Sequence, residues 1–195
     1  ISDLAYEFAS SKFCRHKFNS FSLNYSAANY TKHTKLKISF VIPDFAAGGG
    51  GHMTIFRLVK FLESQGHKIT VWVVNPDMSK HSKNLRDDVI KNFQTIKSDV
   101  IPLDSSFYLT FGDCLFATSW QTIKYTDEAI NYRSKFYFVQ DYEPYFYPRG
   151  SEYLKALYTY GRNYACICAS PWLERLMVEK HSAWARSFYL GYDDK

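Results

Sequence analysis

A run of four consecutive glycines, Gly48 to Gly51, constrains this chain more than any other part of its sequence. It follows an apolar, β-branched stretch that ends at Ile42-Pro43, and a helix-patterned stretch begins at His52. Glycine lets a backbone turn tightly and lets a ligand approach the N–H groups without a Cβ in the way. A helix N-terminus offers an anion unpaired N–H groups and the positive end of its dipole. The sequence therefore predicts a strand, a glycine loop and a helix that together bind a phosphorylated ligand.

The glycine run differs from both of the best-known phosphate-binding loops. A Walker A loop ends in Gly-Lys-Ser/Thr, whereas His52 and Met53 follow the last glycine here. A dinucleotide fingerprint requires an acidic residue about 20 residues later, and no such residue closes the second predicted strand. A flexible turn without a ligand is the alternative interpretation, which the sequence leaves open.

Strand and helix patterns alternate along the rest of the chain. The predicted strands cover 37–42, 67–74, 99–103, 114–118, 135–139, 164–169 and 186–190. The predicted helices cover 52–65, 82–93, 121–132 and 151–160, with a last helix capped by Ser170 and opened by Pro171. This alternation is typical of an α/β, Rossmann-like parallel sheet with helices on both faces. Ligands of such folds bind beyond the carboxyl ends of the strands, so the segments that follow strands are the candidate sites.

The composition is typical of a globular protein, and the positive net charge is concentrated in the N-terminal part of the sequence. Apolar residues make up 46% of 195 residues and charged residues 22%. Residues 1–37 carry +4 of the net charge of +5. We predict a basic and aromatic arm over 1–36 and a Rossmann-like domain over 37–195. The arm either rests on an anionic membrane surface or packs its aromatic side chains on the domain. Nucleic acid is disfavoured as a partner because the basic residues do not continue through the domain.

The location and redox state also follow from the sequence pattern. The N-terminus lacks the apolar segment of a secretory signal, and no apolar run approaches the length of a spanning helix. Cys14, Cys114, Cys166 and Cys168 form no C-x-x-C pair and have no histidine at metal-ligand spacing. We expect a cytoplasmic, reduced protein without a metal, and its arm is the candidate for a peripheral contact with the inner face of the plasma membrane.

A second group of chemically active side chains follows the predicted strand 135–139. It contains two acids, Asp141 and Glu143, together with Arg149 and a run of aromatic residues. Two carboxylates this close can divide acid and base roles if their environments differ. Tyrosines suit the apolar faces of sugar rings. The alternative is structural: the carboxylates cap the helix that begins at Ser151, or they pair with Arg149.

Several stretches of the sequence, taken in order, resemble the N-terminal domain of the S-layer glycan rhamnosyltransferases. Those enzymes belong to the family 4 glycosyltransferases of GT-B fold. The stretches are 39–44, 48–52, 118–120, 137–148, 150–153 and 170–173, and the resemblance runs from 37 to 191. It implies an acceptor-binding first domain that faces a second Rossmann-like domain, which binds a nucleotide-sugar donor such as dTDP-rhamnose.

The resemblance also implies roles for particular residues. Gly48, Gly49, Gly50, Gly51 and His52 would meet the donor diphosphate. Asp141 and Glu143 would face the reacting sugar as candidate catalytic residues. The candidate substrate contacts are Asp44, Trp120, Gln140, Tyr142, Tyr145, Tyr147 and Arg149. Neither a cofactor nor a metal is expected, because the donor itself is a substrate.

The sequence departs from the family pattern at two places. Many of these enzymes carry a histidine where Gln140-Asp141 stands, and no glutamate of this chain has another eight residues later, as the paired-glutamate motif of the donor-binding domain requires. We therefore expect the N-terminal half of a transferase that moves a sugar, rhamnose by resemblance, onto a growing cell-surface glycan and is inactive without its donor-binding domain. The alternatives are a non-catalytic glycan-binding or assembly module of the same fold and, more weakly, a nicotinamide oxidoreductase.

Overall fold

The computed structural model describes residues 35–191, so the predicted arm, apart from its last two residues, lies outside the described part of the chain. The strands are β1 (Lys37–Pro43), β2 (Lys68–Val74), β3 (Asp99–Pro102), β4 (Gly112–Ala117), β5 (Tyr132–Val139), β6 (Ala165–Cys168) and β7 (Ala185–Ser187). The α-helices are α1 (Gly50–Ser64), α2 (Leu85–Asn92), α3 (Trp120–Glu128), α4 (Ser151–Thr159) and α5 (Pro171–His181). Short 3-10 helices cover Ser105–Leu109 and Glu143–Phe146.

The strands form one sheet in the order β3-β2-β1-β4-β5-β6-β7. The pairings β1 with β2, β1 with β4, β2 with β3, β4 with β5 and β6 with β7 are all parallel. Parallel strands need a crossover between them, and helices or long loops supply it here. The predicted α/β, Rossmann-like fold with a parallel sheet and flanking helices is confirmed.

Residues 35–138 form one compact unit. Strand β1 lies at its centre, between β2 and β4, and its Phe40, Val41 and Ile42 have no solvent exposure. Helix α1 packs Ile55, Phe56 and Val59 inward; the first and last are four residues apart, as one buried face of a helix requires. A β1 buried on both faces fixes where the glycine run emerges, because the run follows directly at the carboxyl end of that strand.

Residues 139–191 belong to a second compact unit, which contains β6, β7, α4 and α5. Cys166 and Cys168 lie two residues apart on β6, hence on one face of the strand, and both are buried. The Ser170 side chain accepts a hydrogen bond from the N–H of Leu173 and Pro171 opens α5, so the predicted cap is confirmed. The N–H of Ala169 donates to the carbonyl of Val139, so the segments that begin at 140 and 170 start side by side.

Element boundaries differ from the sequence prediction where tertiary contacts decide them. The helix predicted over 121–132 ends at Glu128, and Tyr132 instead begins β5, where its hydroxyl donates to Ser39 Oγ at 3.0 Å. The helix predicted from His52 begins two residues earlier, at Gly50. The predicted final strand 186–190 is Ala185–Ser187. Within residues 35–191, none of the helices has the length and apolar character that crossing a membrane would need.

Candidate functional site

The chain turns sharply between β1 and α1, over residues 46–49, which we name the glycine turn. Gly48 has a φ of +84°, and the N–H of Gly49 donates to the carbonyl of Ala46 at 3.2 Å. A positive φ is costly for residues with a Cβ, so Gly48 is required by its backbone conformation. A Cβ on Gly49 would be tightly placed, 3.1 Å from His52 Nδ1 and 3.3 Å from the Ala46 carbonyl oxygen, so these neighbours would have to shift by a few tenths of an ångström.

The other two glycines belong to the first turn of α1 and leave that end of the helix open. A Cβ on Gly50 would meet nothing within 4 Å, and both Gly50 and Gly51 are exposed. The helix begins without a side-chain cap and without an acidic residue in its first turn. Its first intrahelical hydrogen bond runs from the N–H of Met53 to the carbonyl of Gly49, so the preceding N–H groups have no partner within the helix. This arrangement suits an anion that approaches the backbone.

The side chain of His52 lies under the turn and packs against aromatic rings. Its ring centroid is 6.0 Å from that of Phe45 and 6.4 Å from that of Phe93. Burial lowers the pKa of His52, although a hydrogen bond to the Pro43 carbonyl opposes that change. Its Nε2 is buried and has no hydrogen-bond partner within residues 35–191. The imidazole is therefore neutral near pH 7, and any attraction for a phosphate at this place comes from the backbone N–H groups.

Asp44, a predicted substrate contact, has both carboxylate oxygens engaged. Oδ1 accepts from the N–H of Phe45 at 2.9 Å and lies 2.7 Å from His81 Nε2, while Oδ2 accepts from the N–H of Asp77 at 3.1 Å. The other ring nitrogen of His81 lies 3.1 Å from Asp88 Oδ2. In this structure Asp44 therefore ties the loop after β2 to the end of β1, and its contact with a substrate stays a prediction.

His81 is the central residue of this network, and the sequence analysis missed it. Its side chain is only 4% exposed and lies between the carboxylates of Asp44 and Asp88. Burial alone would lower the pKa of His81, but its hydrogen bonds to the two carboxylates raise it above the ordinary value. The sequence showed that Asp44 follows a predicted strand. It gave no sign that His81, 37 residues later, would contact it.

Trp120 stands at the same edge of the sheet as the glycine turn. It is the first residue of α3, directly after the end of β4, and β4 pairs in parallel with β1. The Thr118 hydroxyl donates to the Val41 carbonyl at 2.9 Å and fixes the exit of β4 against β1. The indole is half-buried. The unit 35–138 thus brings the glycine turn, Asp44, His52 and Trp120 to one edge.

The unit 139–191 carries the remaining candidates on residues 140–147, which we name the acidic turn. Asp141 is exposed, and its Oδ1 accepts from the N–H of Tyr142 at 2.7 Å. Glu143 begins the 3-10 helix. Gln140 and Glu143 are half-buried. The two candidate catalytic carboxylates therefore lie two residues apart on one short turn that follows β5.

The aromatic residues of the acidic turn divide into a buried and an exposed set. Tyr142 is 3% exposed; its ring stacks on Tyr160 at 5.4 Å and meets the edge of Tyr145 at 4.7 Å. A sugar ring therefore finds no free face on Tyr142 in this conformation. Tyr145 is 63% exposed and the neighbouring Phe146 60% exposed, while Tyr147 is half-buried and Arg149 is exposed. Phe146 was not among the predicted contacts, although it lies in the same aromatic run.

The structural alternative for the two acids, a cap on α4 or a pair with Arg149, stays open. Helix α4 begins with Gly150 as its N-cap, a residue without a side chain that could cap it. Their use as an acid and a base stays a prediction.

The thiols offer little nucleophilic chemistry. Burial raises the pKa of Cys114 to about 12 and that of Cys168 to about 12, and it also raises the pKa of Cys166. A thiol of such high pKa carries almost no thiolate near pH 7. Among the described residues, histidine, cysteine, aspartate and glutamate side chains form no group of three that could hold a metal ion.

Two comparisons with known proteins gave no match. No protein-family model matches the chain, and no curated protein matches it significantly. The functional assignment therefore depends on the site residues and on the resemblance of the sequence motifs.

Proposed function

We propose that this chain is the acceptor-side half of a glycosyltransferase that uses a nucleotide-sugar donor. The observation that carries the proposal is the open start of α1: a glycine turn with a positive φ leads into a helix that lacks both a cap and an acidic first turn. Such a start can stabilise the negative charge that develops on a departing diphosphate without a metal. A dTDP-sugar such as dTDP-rhamnose is the proposed donor, and a cell-surface glycan is the proposed acceptor.

The carboxylates supply the other half of the proposed chemistry. In the transfer, the bond from the anomeric carbon to the diphosphate oxygen breaks and a bond to an acceptor hydroxyl oxygen forms. The diphosphate leaves with the electron pair of the broken bond. One carboxylate of the acidic turn, Asp141 or Glu143, takes the proton of the acceptor hydroxyl. A positioned base of this kind contributes roughly 100- to 10,000-fold to a rate.

The proposal includes partners and a place in the cell. The donor-binding contacts would come from a second domain. A transferase that uses a nucleotide-sugar donor would work in the cytoplasm, and a peripheral membrane contact would come from the basic arm. These statements rest on the sequence resemblance together with the charge of residues 1–36.

A non-catalytic glycan-binding module is the second candidate, and the exposed Tyr145 and Phe146 favour it. Adjacent exposed aromatic rings can bind sugar faces without any reaction. Transfer from dTDP-rhamnose by the complete protein, compared with the double variant Asp141→Ala and Glu143→Ala, separates the two candidates. Loss of transfer with retained glycan binding supports the transferase. Unchanged transfer would remove both carboxylates from the mechanism, and a complete protein that binds glycan but transfers nothing would favour the binding module.

A further inference from the structure

The hydroxyl of Tyr160 lies between two backbone groups of the acidic turn. It accepts a hydrogen bond from the N–H of Glu143 at 3.1 Å and donates one to the carbonyl of Asp141 at 3.2 Å. One oxygen atom thus joins the two residues that carry the candidate catalytic carboxylates. We infer that Tyr160 is a positioning residue that holds Asp141 and Glu143 in a single backbone geometry. For the reaction itself, this inference rests on the proposed function.

Aromatic packing keeps the Tyr160 ring in place. The ring is 2% exposed, stacks on Tyr142 with an interplanar angle of 11°, and lies 5.0 Å from the imidazole of His181. The Tyr142 hydroxyl and His181 Nε2 are 3.2 Å apart. Three elements therefore meet here: the start of the 3-10 helix, the end of α4 and the last residue of α5. A Tyr160 ring held from these sides cannot swing its hydroxyl away from the turn without repacking all of them.

The protonation states suit this bracing role. Burial, reinforced by the charge of Glu143, raises the pKa of Tyr160 far above its ordinary value. Its hydroxyl therefore stays a donor to the Asp141 carbonyl at working pH. Burial, together with the charge of Lys180, lowers the pKa of His181 to about 4, so the imidazole beside Tyr142 is neutral near pH 7.

Tyr160→Phe is the direct test, because it removes the hydroxyl and keeps the ring. Tyr158→Phe is the matched control: it lies two residues away, on α4, and its side chain is 50% exposed. Amide hydrogen exchange of Glu143, measured by NMR on the folded chain, should become about tenfold faster in Tyr160→Phe, since one hydrogen bond is lost, and should not change in Tyr158→Phe. Equal exchange rates of the Glu143 amide in the parent and in Tyr160→Phe would contradict the positioning role of Tyr160.

Kinetics on the complete transferase distinguish positioning from simple stability. Tyr160→Phe should lower kcat by about 10- to 100-fold, because the carboxylates are misplaced, while the KM values for donor and acceptor change by less than about twofold. Faster exchange with an unchanged kcat would overturn the catalytic part of the inference. If the parent protein transfers nothing, the proposed function fails, and the exchange measurement still decides the brace.

A second variant guards against poor folding of the first. Tyr142→Phe keeps the ring stack and loses the hydroxyl contact with His181. It should accelerate exchange at Glu143 by a smaller factor, about two- to threefold, because the Tyr160 hydroxyl still holds the turn. A larger effect than that of Tyr160→Phe would assign the brace to Tyr142 and overturn the role given to Tyr160.

Discussion

The glycine turn and the acidic turn both follow buried strands, but their backbone conformations are stabilised in opposite ways. The glycine turn depends on missing side chains: Gly48 has a positive φ, and a Cβ on Gly49 would crowd His52 and the Ala46 carbonyl. The acidic turn depends on bulky side chains from distant elements, with the Tyr160 hydroxyl bonded to both Asp141 and Glu143. The conformation of the glycine turn is thus specified by its own residues, whereas that of the acidic turn depends on a side chain from the end of α4.

The two histidines near these turns extend the comparison. His81 lies between two carboxylates, and its pKa is raised. His181 lies among tyrosine rings, and burial lowers its pKa to about 4. The first histidine is stabilised when charged and the second when neutral. The contributions of these two histidines to stability therefore change with pH in opposite directions.

The largest expected effect is loss of transfer on removal of one acidic-turn carboxylate. Asp141→Asn and Glu143→Gln are nearly isosteric, and the one that removes the base should lower kcat of the complete protein by roughly 100- to 10,000-fold. The other should cost much less. Rates measured with dTDP-rhamnose and an acceptor glycan assign the base.

The control for this comparison is Glu152→Gln. Glu152 is a surface carboxylate paired with Lys155 at 2.8 Å, and its loss should leave the rate nearly unchanged. If neither acidic-turn variant falls by more than the control, the acidic turn has no base, and its shape would have to be explained by binding alone.

The next largest effect should come from Gly48→Val, which puts a β-branched residue at a φ of +84°. Strain of this kind costs about 1–3 kcal/mol, so the free energy of unfolding should fall by that amount in chemical denaturation. Gly48→Asn is the matched control, because asparagine tolerates left-handed backbone far better. Equal stability of the parent and the valine variant would show that the turn is not held in the left-handed conformation.

The fold could be predicted from the sequence because its signals are local. The alternation of β-branched runs and helical patterns gave the strands and helices, and Ser170-Pro171 gave the start of α5. The end of α3 could not be predicted, since Tyr132 joins β5 through packing and a hydroxyl contact with Ser39, 93 positions away. Likewise, the glycines marked the first turn of the site, whereas His81 and Tyr160 act through contacts with Asp44 and Glu143 that no sequence spacing reveals.

A moderate effect on stability should reveal the opposite pH responses of the two histidines. The folded-state pKa of His81 is raised, so its stabilisation is full below the ordinary pKa of 6.5 and is lost as pH rises through the folded-state value. The folded-state pKa of His181 is lowered to about 4, so its stabilisation is present above 6.5 and is lost as pH falls toward 4. His81→Gln should therefore cost about 1–3 kcal/mol near pH 5.5, from its charge-assisted hydrogen bonds, and less near pH 8.5.

Two measurements check this pair of expectations. Denaturant titrations of the parent and His81→Gln at several pH values give the stability difference, and NMR titration of the imidazole Hε1 signals gives both pKa values directly. His81 should titrate above 6.5 and His181 near 4. If His181 titrates at a higher pH than His81, the proposed difference between the two histidines is wrong.

The smallest effect is expected for Gly50→Ala. This variant tests whether a glycine is needed for the conformation of the backbone or for binding a ligand. Gly50 lies in the first turn of α1, its φ is not positive, and a Cβ there would contact nothing within 4 Å. Alanine should stabilise the chain by about 0.5–1 kcal/mol, because it lowers the entropy of the unfolded state. The added methyl group would, however, lie over the N–H groups proposed to meet the diphosphate. A more stable variant with weaker donor binding in the complete protein, measured as a raised KM for dTDP-rhamnose, would assign Gly50 to the ligand. A more stable variant with unchanged KM would place the donor away from this helix end, and the glycine turn would then differ from the acidic turn only in shape.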